Sequence, residues 1–586
     1  MPILLNTCPL KNNQHIAILG GGPSGLFMFK RIIESGNTDL SVDIFEKNNK
    51  LGSGMPYSAD GACNEHITNV SGNEIPDIVT PIAEWIRTLS QDTLIKFNID
   101  ADRFNDYKVL PRLLFGQYLT AQFKLLQIKA KELGIEVTVH YGTRVTNITD
   151  QPKLDKVLVE ANGEEEYLYD QVIICTGHNW PVKHEGTIPG YYDSPYPPVK
   201  LSLAVNHPVA IRGSSLTAID AIRTLARHNG AFAKSDNGTV HYTLNESSPE
   251  FRMVMHSRNG LLPAVRFHLE DSHLLKDSVL SIQDINYNRS ENEGFLSLDY
   301  IFDKNFKSKF ADKDPELYAR IKDMSIEDFV PFVMELREKL DPFKLLKAEY
   351  LEAEKSIRRK QSVYWKEMLA VLSFAMNYPA KYLSAEDMQR LQKVLMPLIS
   401  VVIAFVPQSS AQELLALHEA GVLELITVDD DNEVEPVLTG GINYSYTNET
   451  GESMDTYYAT FVDSIGQPHF PFDKFPYQSL LDNETISPAL LKFQDAQHAK
   501  TALENDPTKV QIDTEGNYYL KVPGIAINDH FQVVDKYGAF NNRIYIMAVP
   551  YIGGYNPDYS GLDFSEAASA LIIKTLVKNE DDVLLV

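Results

Sequence analysis

Gly20-Gly21-Gly22-Pro23-Ser24-Gly25 carries glycines at the spacing G-x-G-x-x-G. In such a segment the first glycine permits a tight turn, and the second lets backbone approach a pyrophosphate. The third lets a helix pack closely on a strand. The helix that follows presents free N–H groups and a partial positive charge to the phosphates. Glu46 stands 21 residues after Gly25, with Lys47 next to it. A carboxylate at that distance accepts hydrogen bonds from ribose hydroxyls. The chemistry expected here is dinucleotide binding. A second, degenerate copy reads Gly213-Ser214-Ser215-Leu216-Thr217-Ala218, with the first glycine kept and small residues at the other two positions. Ser257-Arg258 falls where a 2′-phosphate would lie, and a forked guanidinium there favours NADPH over NADH. The alternative for Arg258 is a pair with a surface carboxylate. Asp220 falls inside the following helix as a structural residue.

These residues need strands and helices that hold them at the right edge. Residues 15–20 form a short apolar run ending in glycine, the pattern of a buried parallel strand. Residues 23–33 have helical apolar spacing, and 42–46 make a second strand, which completes a βαβ unit. A long amphipathic helix is expected over 111–133, with strands over 135–148 and 154–160 and a polar hairpin at Asn162-Gly163. Residues 171–175 form another buried strand, running into Thr176-Gly177. The second unit has a strand at 209–212, a helix to about 227, a polar surface excursion over 229–250 and a strand at 252–256. Strand signals vanish from 312 to 400, where Glu, Lys, Leu and Met dominate and 329–336 has helical spacing. That stretch reads as a helical insertion, a coat over the core or a substrate lid. Strands are expected again at 401–405, 423–427, 457–464 and 543–549, and a closing helix at 561–577.

The chain has 586 residues, more than one hydrophobic core usually serves, so two or more domains are expected. A net charge of −25 disfavours nucleic acid and anionic membrane as partners. No apolar run reaches bilayer length, and Met1 to Leu10 lacks the features of a secretory signal. Cys8, Cys63 and Cys175 are scattered, with no C-x-x-C, which argues against a zinc ribbon or a dithiol pair and suits the cytoplasm. No His or acid cluster has metal-ligand spacing, and no G-x-S-x-G element is present. Cys175 reads as a packed thiol, and Cys63 lies near the loop that follows Glu46. His66 and His178 are proton-donor candidates whose simpler role is structural hydrogen bonding. Arg112 either holds an anionic substrate or caps or pairs within its helix. Trp180 reads as a packing or rim aromatic.

Four blocks carry a resemblance to a known family. They are Leu51-Gly52-Ser53-Gly54-Met55-Pro56-Tyr57-Ser58, His66-Ile67-Thr68-Asn69-Val70, Pro111 to Leu119, and Cys175-Thr176-Gly177-His178. Together with Gly213 to Asp220, His256 to Pro263 and Arg543 to Leu576, they resemble the bacterial FAD/NAD(P)-binding proteins of the YdhS type. That family is related to flavin monooxygenases. The resemblance implies an α/β fold with two Rossmann-like dinucleotide-binding domains, one for FAD and one for NAD(P), and a helical insertion. The implied parts are 1–205 and 471–586 for FAD, 206–311 and 401–470 for NAD(P), and 312–400 for the insertion. Gly20, Gly22, Pro23, Ser24, Gly25, Glu46 and Lys47 would hold the FAD pyrophosphate and ribose. Gly54, Tyr57 and Asn69 would line the flavin side, Arg112, Thr176 and Gly177 would belong to the cofactor-binding set, and Val145 would hold adenine through its backbone. Gly561-Leu562 would point a helix N-terminus at the flavin. Met547-Ala548-Val549-Pro550 replaces the usual Gly-Asp there. Gly213, Ser214, Ser215, Thr217, Ser257 and Arg258 would hold NADPH. The implied activity is an NADPH-dependent flavin monooxygenase acting on a small molecule, at nitrogen in one version, with O2 as co-substrate and a flavin C4a-(hydro)peroxide as oxidant. The F-x-G-x-x-x-H fingerprint of class B flavin monooxygenases is missing, and residues 190–196 have no such histidine. A flavin reductase without oxygen insertion and a non-catalytic flavin sensor are the other readings. The sequence assigns no oligomeric state.

Overall fold

The computed structural model describes residues 14–270, 280–448, 450–558 and 561–577. The segment from Met1 to Leu10, Cys8 included, lies outside the described residues. The first βαβ unit is β1 (Gln14–Leu19), α1 (Pro23–Glu34) and β2 (Leu40–Glu46). Pro23 opens α1 because its fixed φ and missing N–H suit the first helical turn. Next come α2 (Arg112–Leu133), β3 (Glu136–Tyr141) and β4 (Gln171–Ile174). Gly134 ends α2 at φ 79°, the left-handed position that closes many helices. The second unit holds β5 (Tyr191–Tyr192), β6 (Pro208–Arg212), α3 (Leu216–Asn229) and β7 (Arg252–Ser257). A run of helices then spans 282–402, of which α4 (Tyr364–Asn377) and α5 (Met396–Val402) reach the site. The chain ends through β8 (Leu423–Thr427), β9 (Thr460–Asp463), β10 (Gln532–Val534), β11 (Phe540–Ile546) and α6 (Leu562–Leu576).

The first sheet has the order β10-β11-β4-β1-β2-β3, parallel except for the β10–β11 pair. The second is wholly parallel in the order β5-β9-β6-β7-β8. In β1 the residues Ile16, Ala17, Ile18 and Leu19 are fully buried, as a strand covered on both faces requires. The fold is therefore α/β with two Rossmann-like units. Distant chain completes each sheet, and α6 returns to lie along α1. The Ser24 and Ser565 hydroxyls meet there at 3.3 Å, and Glu566 pairs with Lys30 at 3.3 Å and with Arg31.

Several elements differ from the sequence reading. The helical run starts at 282 rather than 312, because its first helix, Ile282–Glu291, is short and largely polar. The strand expected at 401–405 is instead the end of α5 and a turn. Val401 and Val402 are β-branched, but they pack in a helical core with Leu395, Leu398 and Ile399. Tertiary packing here overrides local propensity. The excursion at 229–250 contains a hairpin of Gly230–Lys234 with Val240–Leu244. The expected strand at 457–464 divides between Ser453–Tyr458 and β9. Tyr191–Tyr192 already belongs to the second sheet.

Candidate nucleotide-binding site

The first glycine turn is built as the spacing predicts. Gly20 has φ 113°, and a Cβ on it would lie 2.7 Å from the Cys175 carbonyl oxygen. A Cβ on Gly25 would lie 2.1 Å from the Gly20 carbonyl oxygen, so α1 can rest on the turn only through glycine. Gly22 is the N-cap of α1 and provides no side-chain cap. Gly561, the N-cap of α6, provides none either. Helices beginning after Ser281, Ser325 and Ser384 are capped by those serines. The two uncapped N-termini open into one cavity of about 980 Å³, near the upper end of the ~300–1,000 Å³ range of cofactor sites. Open N–H groups and two converging helix dipoles suit a pyrophosphate.

Glu46 is buried at the end of β2 and lines the cavity beside Lys47. Its carboxylate accepts the Gly21 N–H at 3.0 Å and the Asn48 N–H at 2.9 Å. A carboxylate has about four acceptor sites, so sites remain for ribose hydroxyls. Val145 lines the same cavity next to Thr143 and Arg144, and so do Thr176 and Gly177 after β4. Across from α1 stands the loop of Gly52 to Tyr57. Gly52 has φ 90°, and its Cβ would fall 2.5 Å from the Leu119 carbonyl oxygen. Gly54 has φ 54° and faces Pro23, and a Cβ on Gly116 would fall 2.0 Å from the Tyr57 carbonyl oxygen. These glycines clasp the loop between α1 and α2. Tyr57 and Asn69 line both this cavity and a second one. Burial pushes the Tyr57 phenol up, which keeps it a neutral hydrogen-bond donor. The residues present therefore fit FAD.

The second cavity, of about 400 Å³, lies where the two units meet. Arg112 and Thr217 line it, as do His178, Trp180 and Tyr196. Arg112 donates to Asp220 of α3 at 2.5 Å and to the Ile67 carbonyl at 3.2 Å. Tyr196 donates to the same Asp220 oxygen at 2.7 Å. Arg112 thus pairs across the two units, not within its own helix. Burial alone would raise the Asp220 carboxyl, but the Arg112 charge and the hydrogen bonds hold it below its ordinary value. His66 accepts the Cys63 N–H at Nδ1, 2.9 Å away, and its Nε2 lies 3.2 Å from the Asp220 carbonyl oxygen. Burial lowers the pKa of both His66 and His178, so each stands as a neutral ring. His178 is hydrogen-bonded to Gln467. Burial pushes the Cys175 thiol strongly up, as befits a packed, inert cysteine.

The second glycine turn is less enclosed. Gly213 has φ 105°, and its Cβ would lie 2.9 Å from the Ser464 carbonyl oxygen. The Ser214 hydroxyl donates to the Leu261 carbonyl at 2.7 Å and lies 3.0 Å from the Ser257 hydroxyl. Ser215 is the N-cap of α3 without a side-chain bond. Thr217 reaches the second cavity, while Gly213, Ser214, Ser215 and Ser257 sit at the edge of β6 and β7, outside both cavities. The Arg258 side chain is 75% exposed and lies 3.6 Å from Asp430, a weak surface pair.

The sequence left the helical run as a coat or a substrate lid and named no residue of it for the site, and the structure makes it a wall of the main cavity. Ala370, Ser373 and Phe374 of α4 line it, with Ile399 and Ser400 of α5 and Phe405 beyond. Asp558, which lines both cavities, was also missed. It sits in an irregular segment after β11, where no periodicity marks it. The insertion is thus part of the site as well as a coat. Among the described residues no group of three or more His, Cys, Asp or Glu could hold a metal. No helix among them is long and apolar enough to cross a membrane.

Residues 17–179 match the FAD-NAD(P)-binding family, and residues 281–403 match the YdhS-like middle domain. The uncharacterized protein YdhS of Escherichia coli (strain K12) is 28% identical over 473 residues, covering 80% of this chain and 86% of that protein. A solved structure of DfoA from Erwinia amylovora, a cadaverine monooxygenase bound to FAD, is 12% identical with a TM-score of 0.42, over 96% of this chain and 94% of that one. The lysine monooxygenase NbtG from Nocardia farcinica is 14% identical with a TM-score of 0.40, over 95% of this chain and 99% of that one. The helical run coincides with the residues that match the YdhS-like middle domain, and it follows the residues that match the FAD-NAD(P)-binding family.

Proposed function

We propose that this chain is an FAD-dependent, NADPH-using oxidoreductase and, within that class, a monooxygenase acting on a small molecule. The observation that carries the reading is the meeting of two uncapped helix N-termini and a buried Glu46 in one cavity of about 980 Å³. The turn from Gly20 to Ser24 would hold the FAD pyrophosphate, Glu46 the ribose and the backbone at Val145 the adenine. Tyr57, Asn69 and the α6 N-terminus would face the flavin. The positive end of α6 favours negative charge on a reduced ring. Bound FAD supplies hydride acceptance from a nicotinamide and electron delivery to an acceptor.

The second turn would receive NADPH, with Arg258 at the 2′-phosphate and the α3 N-terminus at the pyrophosphate. The Arg112–Asp220–Tyr196 cluster fixes the two units against each other, so the second cavity keeps its place between them. His178 borders both cavities as a neutral hydrogen-bonding ring. The helical run would cover the flavin side with Ala370 and Phe374, and shielding from bulk water is a condition that oxygen insertion needs.

The test is to load the purified protein with FAD and add NADPH without oxygen while recording the visible flavin band. The reading predicts bleaching, faster with NADPH than with NADH. A band that persists with both nucleotides would make the chain a flavin-binding protein rather than a reductase.

A further inference from the structure

The wall that the helical run gives the main cavity is unlike the wall a dinucleotide needs. Ala370, Phe374, Ile403 and Phe405 on this side are apolar. The charged residues beside them are neutralised from within, for Glu74 and Arg266, both buried, form an ion pair. Asp558 borders this arm as well as the second cavity. Its carboxyl is hydrogen-bonded to the Ser373 hydroxyl of α4, and its N–H donates to the Asn377 side chain at 3.0 Å. Neither partner is a cation. Burial pushes the Asp558 carboxyl above its ordinary value, against a smaller opposing effect of Ser373.

We infer that the arm between α4, α5 and Asp558 is the chamber for the organic substrate, and that it takes a small uncharged molecule whose polar atom is held by Asp558. The inference rests on the flavin reading of the main cavity. An ion entering this arm would lose its hydration and meet no unpaired opposite charge among the described residues. An uncharged molecule loses little and finds one O–H donor in an apolar surround. Ser373 fixes that donor, so the middle domain sets which molecule fits.

The test uses three probes of one shape: benzyl alcohol, benzylammonium and benzoate. Each is titrated into the FAD-loaded protein while the flavin absorption spectrum is recorded. Benzyl alcohol is expected to shift the spectrum saturably, with binding about tenfold or more tighter than either ion. Asp558→Asn, which stays neutral, should keep this binding within a few-fold. Asp558→Leu and Ser373→Ala should weaken it about tenfold without loss of FAD. Tighter binding of an ion, or a spectrum unmoved by benzyl alcohol, overturns the inference and leaves the flavin reading intact. A protein that takes up no FAD overturns that reading, and the chamber with it. A second readout needs no probe. The infrared carbonyl band of a neutral carboxyl should be present in the protein at neutral pH and absent from Asp558→Asn. Its absence from the unsubstituted protein would show an ionised Asp558 and overturn the inference.

Discussion

The two glycine turns share a backbone plan and differ in their surroundings. Gly20 and Gly213 both follow a buried parallel strand, and both take a left-handed φ, 113° and 105°. Each precedes a helix without a side-chain cap. Around the first turn, α6, the Gly52–Tyr57 loop and the middle domain close a deep cavity. At the second turn Ser214 ties the loop to β7 and Leu261, and the cation beside it, Arg258, stands in solvent. The strand–turn–helix unit thus provides a place for phosphate, and the surrounding chain decides how deeply a nucleotide is held. A tightly kept FAD and an exchangeable NADPH would follow from that difference.

The strongest way to disturb the pairing of the two sites is at their junction. Asp220→Ala leaves the Arg112 charge buried and unpaired, and breaking a buried pair in this way costs about 3–5 kcal/mol. Thermal unfolding should show a large drop in Tm. The sign with pH follows from Asp220, whose folded pKa lies below its ordinary value of 3.8. Its contribution is present above that value and is lost as pH falls through the lower folded pKa. The variant should therefore lack that part of the acid limb, and an unchanged limb would refute the assignment.

Gly25→Ala comes next. A methyl group 2.1 Å from a carbonyl oxygen forces α1 off the turn, at about 1–3 kcal/mol. FAD binding, followed by flavin fluorescence, should weaken about 10–100-fold. Gly213→Ala is expected to spare FAD and to weaken NADPH about tenfold. Equal effects of the two substitutions on FAD would erase the distinction between the turns. Arg258→Ala sharpens it further. Loss of one charged contact to a 2′-phosphate should raise the Kd for NADPH about tenfold and leave NADH nearly unchanged. The smallest effect is expected from Cys63→Ser, within about 0.5 kcal/mol of stability and without change in the rate of flavin reduction.

Much of the first site was legible in the sequence because its constraints are local. The G-x-G-x-x-G spacing, the apolar strand before it and the acid 21 residues later all act within one βαβ unit. The Gly52–Tyr57 block and Gly116 could also be read, although their reason, mutual contact at the Tyr57 carbonyl, needed the fold. The middle domain's part in the cavity was legible only as the lid alternative, with no residue attached to it. Ala370, Phe374 and Ile399 have the spacing of any buried helix face, and nothing local says whether that face meets core or cavity. Asp558 has no regular element around it, and its character comes from burial and from Ser373, 185 residues away. The run Val401-Val402-Ile403 reads as a strand because β-branching is local, while the helical packing that decides it is not.

The most direct measurement is a crystal structure of the protein with FAD bound. The account predicts the pyrophosphate on the N–H groups at the start of α1, the ribose at Glu46 and the flavin ring between Tyr57 and the face of α4 and α5. FAD seated at the Gly213 turn, or a main cavity that stays empty beside saturating FAD, would contradict it.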